Sequence, residues 1–306
     1  MMFPTQPLPA PSTGVPGRWY ALATVEIDGR TQPGLLLEDG TLIAPPELAA
    51  TTVKELLNRW DTAQPDLAEL AARPGPPVPS GTLLTPVRYP DSLIAVGANY
   101  AGHLKEMGLE VKRWVPMPFF HCPPRSRLVG PGATVRIPDS TTQFDWECEL
   151  AVVVGRTLRH ASRDEARAAI AGYSIGLDLT CRDLIQVDGL GLDLARGKSQ
   201  DSMAPCGPAV VPARFIPDDG DLRITLSVND EPMMDASTKE MLYPVDEVLA
   251  EISRHNTLRP GDIVFTGSPA GSAGDHGGRW LRPGDRIDAA ITGIPTLTVT
   301  MTREDS

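Results

Sequence analysis

The sequence predicts a β-rich α+β fold, and three observations carry that expectation. Its 306 residues include 28 Gly and 31 Pro, a composition that favours many turns over long helices. Apolar and polar residues alternate through YALATVEIDG and GLLLEDGTLI, around the turn pairs Asp28-Gly29 and Asp39-Gly40. Helical signals are confined to short stretches.

Taken in order, Met1 to Gly17 is rich in Pro and small residues, lacks the basic and apolar regions of a signal peptide, and reads as a flexible arm. Arg18 to Leu42 reads as a small antiparallel sheet. Val53 to Trp60 is a short amphipathic helix behind Thr51 or Thr52 as cap. Ala72 to Pro90 is Pro- and Gly-rich, which places a boundary between a small N-terminal domain (18–75) and a larger one (76–306). Asp145 to Val154, DWECELAVVV, reads as a strand that becomes apolar on both faces. Ser162 to Gly172 reads as a helix with Ser162 as N-cap, Glu165 completing a capping box and Gly172 as the stop. Val245, Val248, Leu249 and Ile252 share a helical face after Pro244. The pentapeptide LRPGD stands at Leu258–Asp262 and again at Leu281–Asp285, before β-prone runs, and reads as one turn chemistry used twice.

A net charge of −11 argues against a nucleic-acid surface, which needs clustered Lys and Arg. No apolar run approaches the roughly 20 residues that cross a bilayer, so no membrane role is expected. Cys122, Cys148, Cys181 and Cys206 are scattered without zinc-type spacing and read as reduced thiols of a cytoplasmic protein.

Glu147 and Glu149 stand two apart on the expected strand, so their carboxylates project from one face. Two buried like charges are costly unless a cation compensates them, and carboxylate oxygens suit Mg²⁺, Mn²⁺ or Ca²⁺. The alternative is a pair facing solvent. Asp178, at the end of the apolar run in GYSIGLDLTCRD, would complete three oxygen ligands and leave positions for the carboxylate and keto oxygen of a 2-oxo acid. Arg182 and Asp183 can form an ordinary ion pair there, or Arg182 can contact substrate.

From Ser92 to Ile287 the chain resembles the fumarylacetoacetate hydrolase family. The resemblance rests on VGANYAGHLKE, DWECELAVVVGR, GYSIGLDLTCRD, RGKSQDSMAPCGP, VNDEPMMDASTKEM and LRPGDIVFTGSPAG in consistent order. It implies a mixed β-roll catalytic domain behind a small N-terminal α+β domain, usually a homodimer. It implies metal ligands at Glu147, Glu149 and Asp178, with Mg²⁺ or Mn²⁺ as the cofactor. The family's HxxE pair falls on His103 and Glu106, spaced to share one helical face, and its lysine near the metal falls on Lys198. Thr266 and Gly267, in FTGSPAG, match a turn whose backbone N–H groups can meet the substrate. Two positions depart from the pattern: Cys122 where many relatives carry Lys, and Met234 where many carry Gln.

The implied function is a metal-dependent hydrolase that cleaves a C–C bond of an acylpyruvate-like 2,4-dioxo acid through a metal-bound enolate. Isomerisation or decarboxylation of a 2-oxo or 2-hydroxydiene diacid, oxaloacetate included, uses the same ligands, and a non-catalytic 2-oxo acid-binding relative is a third alternative.

Overall fold

The computed structural model describes residues 18–73, 75–79, 81–189 and 191–303; the expected arm over Met1–Gly17 lies outside them. Strand β1 (Tyr20–Ile27) pairs antiparallel with β2 (Arg30–Leu37) across Asp28-Gly29, and β3 (Leu42–Ile43) returns along β2 after Asp39-Gly40. Both turns stand where the alternation placed them. Thr52 caps α1 (Val53–Asn58) and shares a capping box with Glu55. A second helix, α2 (Trp60–Ala72), follows directly; the sequence reading missed it because Pro65 stands inside. Its buried positions Trp60, Ala63, Leu67, Leu70 and Ala71 keep helical spacing, so burial of that face outweighs the proline.

The later strands are β4 (Leu93–Val96), β5 (Phe119–Cys122), β6 (Thr134–Ile137), β7 (Cys148–Val154), β8 (Ile170–Leu177), β9 (Ala204–Pro212), β10 (Arg223–Val228), β11 (Glu231–Ser237), β12 (Ile263–Phe265), β13 (Arg286–Ile291) and β14 (Ile294–Arg303). Among the described residues the larger sheet runs β3-β2-β1-β9-β8-β7-β12-β4-β5, antiparallel along this path except between β12 and β4, and off the path Leu128–Val129 pairs parallel with β9. A smaller sheet runs β11-β10-β13-β14-β6, with β6 parallel to β14. This is the mixed, strand-rich α+β architecture that the Gly and Pro content predicts. The first hairpin continues the larger sheet through Leu22 opposite Val210, and Tyr20 meets Phe215 edge-on at 5.7 Å. Helices are short: α3 (Ala101–Glu106), α4 (Arg163–Ala168), α5 (Leu194–Lys198) and α6 (Val245–His255).

Three local readings need correction or gain a cause. The expected strand from Asp145 is interrupted. Phe144–Asp145 pairs with Thr180–Cys181, the Trp146 N–H donates to the Asp145 carboxylate, and the long strand begins only at Cys148. The helix from Ser162 has its capping box, but it ends at Ala168 and Gly172 lies inside β8. A Cβ at Gly172 would stand 2.2 Å from the Val211 carbonyl oxygen, so the glycine answers to the close approach of β9. The repeated LRPGD is the same turn twice. In each, the Asp N–H donates to the Arg carbonyl, the Asp carboxylate accepts from the Arg N–H, and the glycine takes φ +88° at Gly261 and +92° at Gly284.

Strands β4, β8 and β12 all finish, and β7 begins, at one end of the larger sheet, because β7 is antiparallel to β8 and β12 while β12 is parallel to β4. The candidate site lies at that end. The packing there leaves little slack: Gly172→Ala should lower stability by about 3 kcal/mol, read as a reduced urea midpoint. A change below about 0.5 kcal/mol would show that β8 and β9 part freely.

Candidate metal centre and its cavity

Glu147 stands just before β7 and Glu149 within it, while Asp178 follows β8 directly, and the Asp178 N–H donates to the Glu147 carbonyl at 3.0 Å. All three side chains are buried, and each contributes a carboxylate oxygen within 4.8 Å of the others. The pair and the third carboxylate inferred from sequence are therefore brought together.

Cations surround two of the three. Lys198, at the end of α5, donates to Glu147 at 2.7 Å and to Asp178 at 2.6 Å. Arg182 donates to Glu147 and to Asp145, both at 2.7 Å. Its expected partner Asp183 instead accepts from Thr141 and Thr142, because the short helix Arg182–Ile185 turns the two side chains apart. Arg127, wholly buried, donates to Asp178 at 2.6 Å. Among the described residues Glu149 accepts one hydrogen bond, from the Gly267 N–H at 2.5 Å.

The electrostatics follow from these neighbours. Burial pushes Glu147 up, but Lys198, Arg182 and His103 pull harder and hold it at about 2. Burial pushes Glu149 well above the carboxylate range, and the charges of Asp178 and Glu147 push the same way. Burial disfavours the charged form of Lys198, yet Asp178 and Glu147 keep its proton on. Among the described residues, four carboxylates here (Asp145, Glu147, Glu149 and Asp178) face three cationic side chains (Arg127, Arg182 and Lys198). An all-oxygen donor set with an uncompensated negative charge fits a hard divalent cation.

His103 sits on α3 over this cluster. Its Nδ1 lies 2.8 Å from Glu106, whose other oxygen accepts from the Gly271 N–H at 2.5 Å, and its Nε2 lies 3.8 Å from Glu147. Burial pushes Glu106 up, but its hydrogen bonds to His103 and Gly271 outweigh burial and hold it below the usual range. Thr266 and Gly267 directly follow β12 beside the cluster. The Thr266 hydroxyl donates to the Leu150 carbonyl and the Gly267 N–H to Glu149, so both brace the floor.

A cavity of about 470 Å³ opens above the cluster, floored by Glu147, Asp178, Lys198, Arg182 and His103. A second, of about 290 Å³, lies across His103 and Arg182 and meets Glu106, Asp145 and Trp280. Neither is lined by Cys122 or Met234. Burial pushes the Cys122 thiol up to about 12 beside Arg127, and Met234 packs behind Gly271. Sequence reasoning missed Arg127, Asp145 and Asn99. Asp145 had a signal, standing two before Glu147 as Glu147 stands two before Glu149. Arg127 in PPRSR and Asn99 in GANYA had none. Asn99 ties Thr266 to Tyr243 through its amide and so sets the start of α3.

The raised group Glu149 contributes most to stability below its ordinary value of 4.5 and loses that contribution as pH climbs toward its folded value. Glu147 acts in the opposite sense, losing its contribution only as pH falls toward about 2. A bound cation should remove the Glu149 penalty. The thermal-midpoint gap between Mg²⁺-loaded and EDTA-treated protein should therefore widen from about pH 5 to about pH 8, and Glu149→Gln should flatten it. A pH-independent gap would count against cation binding at Glu149.

Residues 92–302 match the model of the fumarylacetoacetate (FAA) hydrolase C-terminal family. An oxaloacetate tautomerase of Rattus norvegicus mitochondria is 34% identical over 222 residues, which cover 72% of this chain and 69% of that protein. Against a related tautomerase of Bos taurus the match spans 59% of its length. The fumarylacetoacetate hydrolase of Exiguobacterium antarcticum superposes with a TM-score of 0.80 at 33% identity, covering 93% of this chain and all (100%) of that one. A 5-carboxymethyl-2-hydroxymuconate delta-isomerase from Mycobacterium smegmatis superposes with a TM-score of 0.73 at 25% identity, covering 94% and 100%. With the buried Glu147, Glu149 and Asp178 at the sheet end and a family model that takes in both sheets' later strands, the chain belongs to the fumarylacetoacetate hydrolase family.

Proposed function

We propose that this chain is a divalent-metal-dependent hydrolase that cleaves the C3–C4 bond of an acylpyruvate-like 2,4-dioxo acid. The observation that carries the reading is the His103–Glu106 pair, held with the Nε2 edge of the imidazole 3.8 Å from the carboxylate cluster. Glu147, Glu149 and Asp178 would hold Mg²⁺ or Mn²⁺, which supplies a Lewis acid for a 2-oxo carboxylate when bound. The chain's own groups do the rest. Glu106, kept ionised by the Gly271 N–H, accepts a hydrogen bond from the Nδ1–H and so leaves the Nε2 lone pair free as a base. Nε2 removes a proton from water, and the water oxygen attacks the C4 carbonyl. The C3–C4 bond breaks with its electron pair staying on C3, giving the enolate of pyruvate and a carboxylic acid. His103 returns its proton to C3. Lys198, whose ammonium already spans Glu147 and Asp178, faces the cavity and favours the negative charge that develops on the substrate.

A second reading, tautomerisation or isomerisation of a 2-oxo acid, draws support from the names of the rat and mycobacterial relatives. It needs proton transfer at carbon but no water in the product. Hydrolysis run in ¹⁸O-labelled water should place one label in the released acid, and a tautomerase should leave its product unlabelled. His103→Ala and Glu106→Gln should each lower acylpyruvate turnover by about 10² or more while calorimetric Mg²⁺ binding stays near that of the parent. Intact turnover in both variants would rule out this base.

A further inference from the structure

The charged floor ends abruptly, and what rises from it is apolar. The walls of the larger cavity are Met107, Leu109, Phe120, Ile185, Leu192 and Leu194, together with the uncharged Gln186 and Ser268. Its cations all lie on the floor and are engaged there: Lys198 with Glu147 and Asp178, Arg182 with Asp145 and Glu147. Met107, Leu109 and Leu192 are 42%, 44% and 64% exposed, an unusual state for large apolar side chains gathered at one mouth. Cations of the neighbouring segment turn elsewhere. Arg113 pairs with Glu247 and lies over the Tyr243 ring, and Lys112 lies over the Trp114 ring.

We infer that the cavity selects 2-oxo acids whose far end is an uncharged, apolar acyl tail and discriminates against diacids. The inference rests on the proposed 2-oxo acid headgroup site and names the class of substrate that site takes. The floor accommodates one carboxylate beside the cation. A second carboxylate at the tail would lose its water among the leucines, where the described lining residues offer no cation beyond the engaged Lys198, Arg182 and His103. An alkyl or aryl tail would instead cover Met107, Leu109 and Leu192, gaining about fourfold in affinity for each methylene buried.

Two ligands of equal length separate these cases. With Mg²⁺ present, calorimetry should show 2-oxooctanoate binding at least about tenfold more tightly than 2-oxooctanedioate. Leu192→Arg, at an exposed position where folding is safe, should erase most of that preference while oxalate affinity stays within about twofold. Equal or tighter binding of the dioate by the parent protein would overturn the inference, as would an unchanged preference in both Leu192→Arg and Leu109→Arg. Turnover is read separately on acylpyruvates bearing the same two tails. A parent protein that prefers 2-oxooctanoate yet hydrolyses neither acylpyruvate would sink the proposed reaction and leave the tail selectivity standing. Hydrolysis of both at equal kcat/KM would do the reverse.

Discussion

Four carboxylates removed from water within one cluster impose the constraint around which this end of the molecule is built. Each ion costs several kcal/mol to desolvate unless a partner of opposite charge or a donor array replaces the lost water. Asp145 and Glu147 are met by Arg182, Glu147 and Asp178 by Lys198, and Asp178 again by the buried Arg127. Glu149 receives one backbone N–H and two like-charged neighbours. The site is thus balanced save for one group, and the imbalance is of the sign that a hard divalent cation would offset.

That constraint reaches into the fold through backbone contacts. Glu147 accepts from the Asp178 N–H, joining the start of β7 to the end of β8, and Glu149 accepts from the Gly267 N–H, joining β7 to the end of β12. The loop that begins at Gly267 also carries Gly271, whose N–H holds Glu106 and through it His103. One loop therefore braces a prospective metal ligand and the prospective base together. Asn99 completes the frame, since its amide binds Thr266 and Tyr243 and fixes where α3 departs from the sheet.

Much of this was legible in the sequence where the physics is local. Capping boxes at Thr52 and Ser162, the Asp28-Gly29 turn and the duplicated LRPGD turn depend on neighbours within a few residues, and each stands where its residues placed it. The spacing of Glu147 and Glu149 told of a shared face, and a family resemblance supplied His103, Glu106 and Lys198. What stayed hidden depends on distant chain. Gly172 was mistaken for a helix stop because Val211, which crowds it, lies on another strand. Asp183 is the local partner that the sequence offers Arg182, while its partners Asp145 and Glu147 arrive from the chain before β7. Arg127 carries no local mark at all, and α2 was masked by Pro65 although its buried face kept helical period.

The cavity walls were the least legible part, and they bear on how the floor works. Met107 and Leu109 follow α3, whereas Ile185, Leu192 and Leu194 come from the segment before Lys198; no periodicity links the two stretches. Only the fold sets them opposite each other above the carboxylates. Covered by an apolar tail, they would keep water from the space over Lys198, Arg182 and His103, and charges attract more strongly where water does not screen them. A rim of exposed leucine and methionine is a liability for an isolated surface. Above a charged floor it becomes part of the electrostatics, because the tail that covers the rim also seals the headgroup against solvent. The apolar walls and the charged floor are therefore one device, in which burying the tail strengthens the forces that act on the head.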